Sequence, residues 1–295
     1  MAPTGLVDKG VNTLAYGGQL AADHPGFTDA AYRARRAALS EVARTYRRGA
    51  PIPAAPYADE DHELWRLCSR ELAERHARLA CDEYLRGVDA LGLPTDHVPQ
   101  LTEVSALLEP ITGFTYEPVP GLVSPWNFYG ALGDGWFMST QYIRHHSLPY
   151  YTPEPDVVHE VIGHANQLAS PRFASLYRKV GEAIKRVHTD QAMAFLSRVF
   201  WFTVEFGVVR EGGDVKAYGA GILSSFGELD AFRHADIKPF DVHTMGAQEY
   251  DITRYQPVLF VADSTDALIG DMSDFLDHYD EDAYNRYASS GMGLR

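Results

Sequence analysis

The stretch that decides how this chain is interpreted is Thr152-Pro-Glu-Pro-Asp-Val-Val-His-Glu-Val-Ile-Gly-His164. Pro155 suits the first turn of a helix, where a backbone N–H has no partner. Asp156 follows it, where the helix dipole favours negative charge. We therefore predict one short helix that carries three polar side chains: His159, Glu160 and His164.

The spacing of the two histidines limits the chemistry of this helix. His159 and His164 are five residues apart, which on an ideal α-helix separates them by about 140°, whereas a spacing of four gives about 40°. A zinc peptidase of the His-Glu-x-x-His type needs the spacing of four, and that position is occupied by Gly163. A helix that bends or ends at Gly163 could still bring both rings onto one ion.

Composition and charge exclude several classes of partner. The 295 residues are 45% hydrophobic, enough for a core, and their net charge of −14 leaves no basic excess for a nucleic-acid backbone. No stretch approaches the roughly 20 apolar residues of a membrane helix. Cys68 and Cys81 lack a metal-type spacing and are expected to be reduced thiols. We expect a cytoplasmic protein with no nucleic-acid or membrane partner.

The order of apolar patterns and stop signals predicts a mainly α fold with a few short β-strands, in a single domain. We expect a flexible N-terminal arm at 1–21, the domain at 22–288 and a C-terminal tail at 289–295. Helices are predicted near 28–48, 59–90, 100–110, 170–188, 190–206 and 263–287. Strands are predicted at 136–143, in a hairpin around Gly212-Gly213 and at 255–261.

A cluster of histidines predicts a metal site. Four of the twelve histidines fall between positions 145 and 164, and two neutral imidazoles suit zinc, iron, copper or nickel, so a third ligand must decide. The candidate is Glu205, the one ionisable residue in the apolar run 199–209, where an unpaired carboxylate is costly to bury. Alternatively, Glu205 faces solvent or pairs with Arg198 or Arg210. Two histidines, one carboxylate and open positions form the ligand set of non-haem Fe(II) oxygenases.

Long motifs in the chain carry a resemblance to a known family. They include Pro153-Glu-Pro-Asp-Val-Val-His-Glu-Val-Ile-Gly-His164, Trp201-Phe-Thr-Val-Glu-Phe-Gly207 and Lys216-Ala-Tyr-Gly-Ala-Gly-Ile-Leu-Ser-Ser-Phe-Gly-Glu-Leu229. Together they closely resemble the tetrahydrobiopterin-dependent aromatic amino acid hydroxylases. The resemblance begins at His24-Pro-Gly-Phe and continues to about Tyr279, so it implies that most of the chain is one catalytic domain of that family.

The resemblance implies a role for each matching position. The Fe(II) ligands would be His159, His164 and Glu205, and Glu160 would be the catalytic acid that faces the pterin. Phe128 would stack on the pterin ring, with Gly121, Leu122 and Ser124 in the pterin loop. The substrate carboxylate would be gripped by Arg144, which Asp156 holds, with Thr152, Gly221 and Ser224 nearby. A bidentate arginine suits this task, because its planar fork matches a carboxylate.

Two positions bear on the choice of substrate within the family. Trp201 resembles the branches that act on phenylalanine and tyrosine, because the tryptophan branch usually has phenylalanine there. Ile252 stands where the tyrosine branch has an aspartate, so a phenolic substrate is disfavoured. The resemblance therefore implies hydroxylation of L-phenylalanine to L-tyrosine with O2 and tetrahydrobiopterin or another tetrahydropterin. A tryptophan 5-hydroxylase remains compatible with Ile252.

The sequence also departs from the family pattern. Asn166 replaces a proline, His146 replaces a small residue beside Arg144, and Pro125 removes a possible donor from the pterin loop. Only about twenty residues precede the resemblance and the C-terminal residues have no heptads, so we expect a monomer without a regulatory domain. Two hypotheses from other classes stay open: a zinc hydrolase with Glu160 as base, and a pterin-binding protein without turnover.

Overall fold

The protein is mostly helical in a computed structural model, which describes residues 24–150, 154–252 and 254–291. The α-helices are α1 (Ala30–Thr45), α2 (Asp59–Leu79), α3 (Asp82–Leu91), α4 (Leu101–Thr112), α5 (Pro125–Gly133), α6 (Asn166–Leu168), α7 (Pro171–Ile184), α8 (Asp190–Phe200), α9 (Ala220–Leu223), α10 (Phe226–Ala231), α11 (Val242–Ala247), α12 (Thr265–His278) and α13 (Glu281–Gly291). Two wider π-helices occupy Val158–Ala165 and Trp201–Glu205. The predicted fold class is confirmed.

Side-chain caps explain where several helices begin. Asp29 accepts a hydrogen bond of 2.9 Å from the backbone N–H of Tyr32 at the start of α1. Ser170 and Thr189 cap α7 and α8 in the same way. Such caps satisfy backbone donors that have no partner inside the helix. The helix starts predicted near 28, 170 and 190 are therefore confirmed.

Two predicted helices are wrong in their extent. The one expected at 59–90 is broken after Leu79, because Ala80 is extended and the backbone N–H of Cys81 donates to the carbonyl of Ala217 at 2.9 Å. The one expected at 263–287 is divided between α12 and α13. α13 continues to Gly291, three residues into the predicted tail. The predicted arm at 1–21 lies outside the described residues.

The strands form two small sheets. β1 (Thr115–Pro118) pairs in parallel with β2 (Trp136–Ser139). The second sheet has the order β4-β3-β6-β5 and contains β3 (Val208–Glu211), β4 (Asp214–Ala217), β5 (Asp236–Pro239) and β6 (Val258–Ala262). β3 and β4 are the predicted hairpin, whereas the prediction lacked β5 and the helices α5, α9, α10 and α11.

One hydrophobic core joins nearly all of these elements, and the first π-helix runs through it. That helix packs against α2, α4 and α9. Cys68 and Cys81 are buried, unpaired thiols. In the described part of the chain, no helix combines the length and the apolar character needed to cross a bilayer.

Candidate metal centre and substrate pocket

The first π-helix resolves the problem of the histidine spacing. In a π-helix the backbone hydrogen bonds join residues five apart, so side chains at this spacing are neighbours on one face. The Nε2 atoms of His159 and His164 are accordingly 3.0 Å apart. The helix starts later than predicted: Pro155 precedes it, and Asp156 accepts a hydrogen bond of 3.1 Å from the backbone N–H of His159.

Close packing explains the glycine between the histidines. A Cβ atom at Gly163 would lie 2.9 Å from the carbonyl oxygen of Ala220 in α9. A side chain at this position would push α9 away from the π-helix. Gly163 therefore serves close approach between two helices, rather than the bend or helix end considered from the sequence.

The second π-helix presents Glu205 to the histidines. The backbone N–H of Phe206 donates to the carbonyl of Trp201 at 2.8 Å, a bond that spans five residues. The carboxylate oxygens of Glu205 lie 3.2 Å from Nε2 of His164 and 3.5 Å from Nε2 of His159. Glu205 thus turns inward, toward neither solvent nor the two arginines considered from the sequence. Within the described residues, these three are the one group placed to hold a metal ion.

A relay of hydrogen bonds fixes the proton on His164. The amide Nε2 of Gln167 donates to the carbonyls of Val204 and Tyr218, so its Oε1 accepts from the hydroxyl of Tyr177. That hydroxyl therefore accepts from Nδ1 of His164 at 2.6 Å. With its proton on Nδ1, the ring turns the lone pair of Nε2 toward the site, as a metal ligand requires.

Ser224 fixes the position of the proton on the imidazole of His159. Its Oγ lies 2.9 Å from Nδ1 of His159 and 3.5 Å from the carbonyl of Gly221, to which its hydroxyl can donate. Nδ1 of His159 is then the donor, and Nε2 is again unprotonated. Two nitrogen lone pairs and a carboxylate that converge in this way repel one another without a cation between them. The donor set therefore fits a metal ion.

The charge states of these groups agree with that arrangement. Burial lowers the pKa of His159 to about 4, which keeps the ring neutral at physiological pH. Burial acts to raise the pKa of Glu205, but positive charge between this carboxylate and His164, whether a proton or a bound cation, holds that pKa below its ordinary value. The site therefore offers two neutral imidazoles and one carboxylate.

A buried ion pair lies beside the metal cluster. Arg144 binds Asp156 through both arms of its guanidinium, with Nε–Oδ2 at 2.9 Å and Nη2–Oδ1 at 2.8 Å. Nη1 of Arg144 donates to the carbonyls of Pro149 and Ser224, each at 3.1 Å. Burial opposes ionisation of Asp156, but the Arg144 guanidinium holds the pKa of that carboxyl below its usual value. Since a guanidinium has five N–H donors, one N–H on Nη2 has no partner among the described residues and is left for a ligand.

Glu160 is buried on the neighbouring side of the π-helix. Its Oε1 accepts hydrogen bonds from the backbone N–H of Thr140 at 3.2 Å and from its hydroxyl at 3.3 Å. Burial raises the pKa of Glu160 well above its ordinary range, although the bonds from Thr140 act in the opposite direction. Glu160 therefore does not join the three metal-site residues.

The predicted pterin residues lie around α5. Phe128 packs edge-on against Phe137, and the ring centroid of Phe137 lies 4.8 Å from that of His164. Phe137 therefore lies between Phe128 and the metal site. Ser124 caps α5, and Leu122 is 52% exposed. A Cβ at Gly121 would meet no atom within 4 Å. This loop is open, and the structure leaves its pterin role a prediction.

Among the predicted substrate residues, Trp201 and Gly221 share a contact with Phe206. The ring of Trp201 packs against Phe206 at a centroid distance of 4.5 Å, and a Cβ at Gly221 would come within 2.5 Å of that phenylalanine. Trp201 also stacks on Tyr250, with centroids 4.1 Å apart and planes 9° from parallel. Ile252 follows on the same loop and is half-buried. Thr152 lies outside the described residues.

The sequence prediction missed three residues of this site. Tyr177 and Gln167 orient His164, and Tyr250 covers Trp201. Tyr177 lies on the apolar stripe of α7, so the sequence gives no signal that separates it from an ordinary core residue. Gln167 and Tyr250 are single residues without a metal-binding or catalytic spacing.

The three departures from the family pattern have structural explanations. Asn166 is buried, and its Nδ2 donates to the carbonyl of Ile162 at 2.9 Å. Pro125 is the first residue of α5, where a backbone N–H would have no helical partner. His146 is exposed and lies 3.1 Å from Glu60. None of the three is a member of the metal cluster.

Fold and site together define a mainly helical protein in which two histidines and one carboxylate are arranged for a single metal ion. A family profile described as biopterin-dependent aromatic amino acid hydroxylase matches residues 6–291. The chain therefore belongs to the biopterin-dependent aromatic amino acid hydroxylases. The predicted resemblance is confirmed, and the zinc hydrolase alternative has no support.

Individual relatives agree with that assignment. The chain is 47% identical to phenylalanine 3-hydroxylase of Streptomyces coeruleorubidus over 88% of its length and 93% of the relative's. It is 43% identical to phenylalanine-4-hydroxylase of Bos taurus, over 85% of its own length but only 57% of the bovine protein's. The Fe(III)-bound structure of Chromobacterium violaceum phenylalanine hydroxylase superposes with a TM-score of 0.74 at 30% identity, covering 79% of this chain and 84% of that one.

Proposed function

We propose that this protein hydroxylates the ring of L-phenylalanine, using O2 and a tetrahydrobiopterin or another tetrahydropterin, with iron held by His159, His164 and Glu205. The observation that carries the proposal is the convergence of these three side chains beside the buried Arg144–Asp156 pair. Relatives named for phenylalanine hydroxylation support the choice of substrate, and two iron-bound structures of the Chromobacterium violaceum relative support the choice of metal.

The ligands fit the proposed metal by their chemistry. Two imidazoles and one carboxylate leave several coordination positions open, which suits Fe(II) in oxygenases. Bound there with the pterin, iron supplies the activation of O2. The contribution of the protein is to fix the ligand rings through Tyr177 and Ser224, and to keep the site inside the hydrophobic core.

The substrate would be oriented by Arg144. Its remaining Nη2 proton can bind the carboxylate of an amino acid, and the charge of Asp156 keeps the guanidinium in place. Trp201, Gly221 and Ile252 would border the aromatic ring, with Ser224 between the arginine and His159. The absence of a carboxylate at Ile252 favours phenylalanine over a phenol. Thr152 keeps its proposed place beside Arg144 from the family resemblance alone.

The pterin would bind between the open loop before α5 and the metal. We assign ring stacking to Phe128 and loop contacts to Gly121, Leu122 and Ser124. Glu160 would face the pterin from the π-helix. A solved structure of the Chromobacterium violaceum relative with bound iron(III) and oxidised 7,8-dihydrobiopterin supports this cofactor.

The ring position is the finer part of the proposal. Our choice is the para position, which gives L-tyrosine. A specific observation favours meta hydroxylation as the second candidate: the relative that matches over 93% of its length is named a 3-hydroxylase. The two products are isomers that chromatography separates.

The test is to incubate the Fe(II)-loaded protein with tetrahydrobiopterin, O2 and an equimolar mixture of phenylalanine, tyrosine and tryptophan. We expect pterin-dependent consumption of phenylalanine and formation of L-tyrosine. Formation of 3-hydroxyphenylalanine would replace the para assignment by the meta one. Preferred turnover of tryptophan would overturn the substrate, and no product from any of the three would overturn the activity. Oligomeric state remains a prediction, which light scattering of the same sample checks.

A further inference from the structure

The stack of Tyr250 on Trp201 places the loop 248–257, which the structure describes except at 253, against the proposed substrate pocket. The two rings are nearly parallel and in face contact, with centroids 4.1 Å apart. Ile252, which bears on substrate choice, belongs to the same loop. The position of this loop therefore determines the shape of the pocket wall.

One glutamine holds both sides of that contact. Oε1 of Gln256 accepts the indole N–H of Trp201 at 3.1 Å. Its Nε2 donates to the carbonyls of Asp251 at 2.9 Å and of Arg254 at 3.1 Å. The amide thereby satisfies one tryptophan donor and two loop carbonyls at once, and Gln256 is buried, with 4% of its surface exposed.

The glutamine is itself fixed by a buried acid. The backbone N–H of Gln256 donates to Oε1 of Glu228 at 3.0 Å. Glu228 lies in α10, whose N-cap Ser225 directly follows Ser224. The pocket wall is therefore connected through one short turn to the residue that orients His159.

Packing along the loop is incomplete. A cleft of about 220 Å³ is lined by seven residues of the loop itself together with Phe202 and Val258. Because apolar contacts do not fill this space, close packing alone does not define the position of the loop. Hydrogen bonds have to do so.

We propose that Gln256 is the positioning residue that sets the relation of Trp201 to the loop 248–257, and through it the preference for one aromatic ring over another. This inference rests on the proposed hydroxylase function. Gln256 touches no reacting atom in this arrangement. It acts by holding Trp201 and the loop that carries Ile252 in one geometry.

The test compares Gln256→Met with a matched control, Gln100→Met. Methionine has a similar volume but can neither accept from the indole nor donate to a carbonyl. Gln100 bonds the backbone of Ala55 through both atoms of its amide, at 2.7 and 3.0 Å, in a different part of the protein. Both variants lose hydrogen bonds to the backbone, but only one changes the pocket wall.

The activity readout is the ratio of kcat/KM for phenylalanine to kcat/KM for tryptophan. We expect Gln256→Met to change it roughly tenfold, because each lost hydrogen bond contributes a few-fold, while Gln100→Met keeps the wild-type ratio. Gln256→Glu retains an acceptor for Trp201 and loses the two loop donors, so its ratio should fall between the two. An unchanged ratio in Gln256→Met, with stability reduced as in Gln100→Met, would overturn the proposal.

A second readout is independent of turnover. The chain has four tryptophans, so the zinc-loaded protein should give four indole N–H signals in an NMR spectrum, and Trp201→Phe identifies one of them. We expect Gln256→Met to shift that signal upfield and Gln256→Glu to keep it hydrogen-bonded. An unshifted signal in Gln256→Met would contradict the hydrogen bond between Gln256 and the indole of Trp201. If the wild type forms no hydroxylated product, the proposed function fails, and this spectrum still decides the role of Gln256.

Discussion

Two buried glutamines use the same hydrogen-bonding pattern in two regions of the molecule. Gln167 donates to two backbone carbonyls and accepts from Tyr177, and Gln256 donates to two carbonyls and accepts from Trp201. Gln167 lies in a closely packed core, whereas Gln256 borders an open cleft. Both regions thus combine hydrogen bonds with aromatic packing, but only the pocket wall has an unfilled cleft beside it.

The largest effect is expected at the metal. Glu205→Ala removes the single anionic ligand of the cluster, so the variant should lose its iron on desalting and form no pterin-dependent product. Metal analysis and product chromatography measure this. Glu211→Ala, which changes a glutamate of β3 outside the cluster, is the control and should keep both. Full iron occupancy in Glu205→Ala would contradict the assignment of Glu205 as a metal ligand.

The ion pair between the two regions should have the next largest effect. Asp156→Asn leaves the Arg144 guanidinium buried without its counter-charge, which costs about 3–5 kcal/mol of stability. Urea unfolding measures the change. Asp230→Asn removes a carboxylate that pairs with Arg75 at the surface, and it should cost less than about 1 kcal/mol. Equal losses in the two variants would argue against a special role for the buried pair.

Breaking the Gln167 relay should separate the two regions functionally. Tyr177→Phe removes the acceptor for His164, and we expect iron affinity to fall roughly 10–100-fold, with an unchanged ratio of phenylalanine to tryptophan turnover. Gln256→Met should keep the wild-type iron affinity and change the ratio of phenylalanine to tryptophan turnover. Competition with a chelator measures the affinity. Tyr279→Phe, which removes a buried hydroxyl bonded to Ala192, is the control, and a similar loss of affinity there would contradict the relay.

The smallest effect is a pH dependence of stability. Burial lowers the pKa of His76 to about 4, and its ring bonds the carbonyl of Leu223 beside Ser224. Between pH 6.5 and 4 the unfolded chain binds a proton that the folded protein does not, so stability falls as the pH falls. From pH 7 to pH 5 this group should account for about 2 kcal/mol. His76→Gln should lack that part of the loss in denaturant titrations, and parallel curves for both proteins would show that His76 contributes nothing.

The chemical content of the site could be predicted from the sequence. The apolar surroundings of Glu205 indicated an inward carboxylate, and the long motifs identified the family. The geometry could not be predicted, because an argument based on 3.6 residues per turn places His159 and His164 apart. A π-helix has no composition signal that distinguishes it from an α-helix.

Long-range contacts explain the other differences. Neither Ala80 nor Cys81 is a helix-breaking residue. The break between α2 and α3 comes from the hydrogen bond that the backbone N–H of Cys81 donates to Ala217, far along the chain. Gln256 is an ordinary loop residue by sequence, and its partners Trp201 and Glu228 are separated from it by 55 and 28 positions. Such partners become visible only when the chain is folded.

The π-helix also has a consequence for insertions and deletions. Removing one residue between His159 and His164 would give a spacing of four, which a regular α-helix places on one face. The pair of imidazoles would then survive in the register of a zinc peptidase, but every later residue would move by one position, including the Gly163 contact with α9. One residue of chain length thus separates two kinds of metalloprotein helix, and here the longer one carries the glycine that packs against α9.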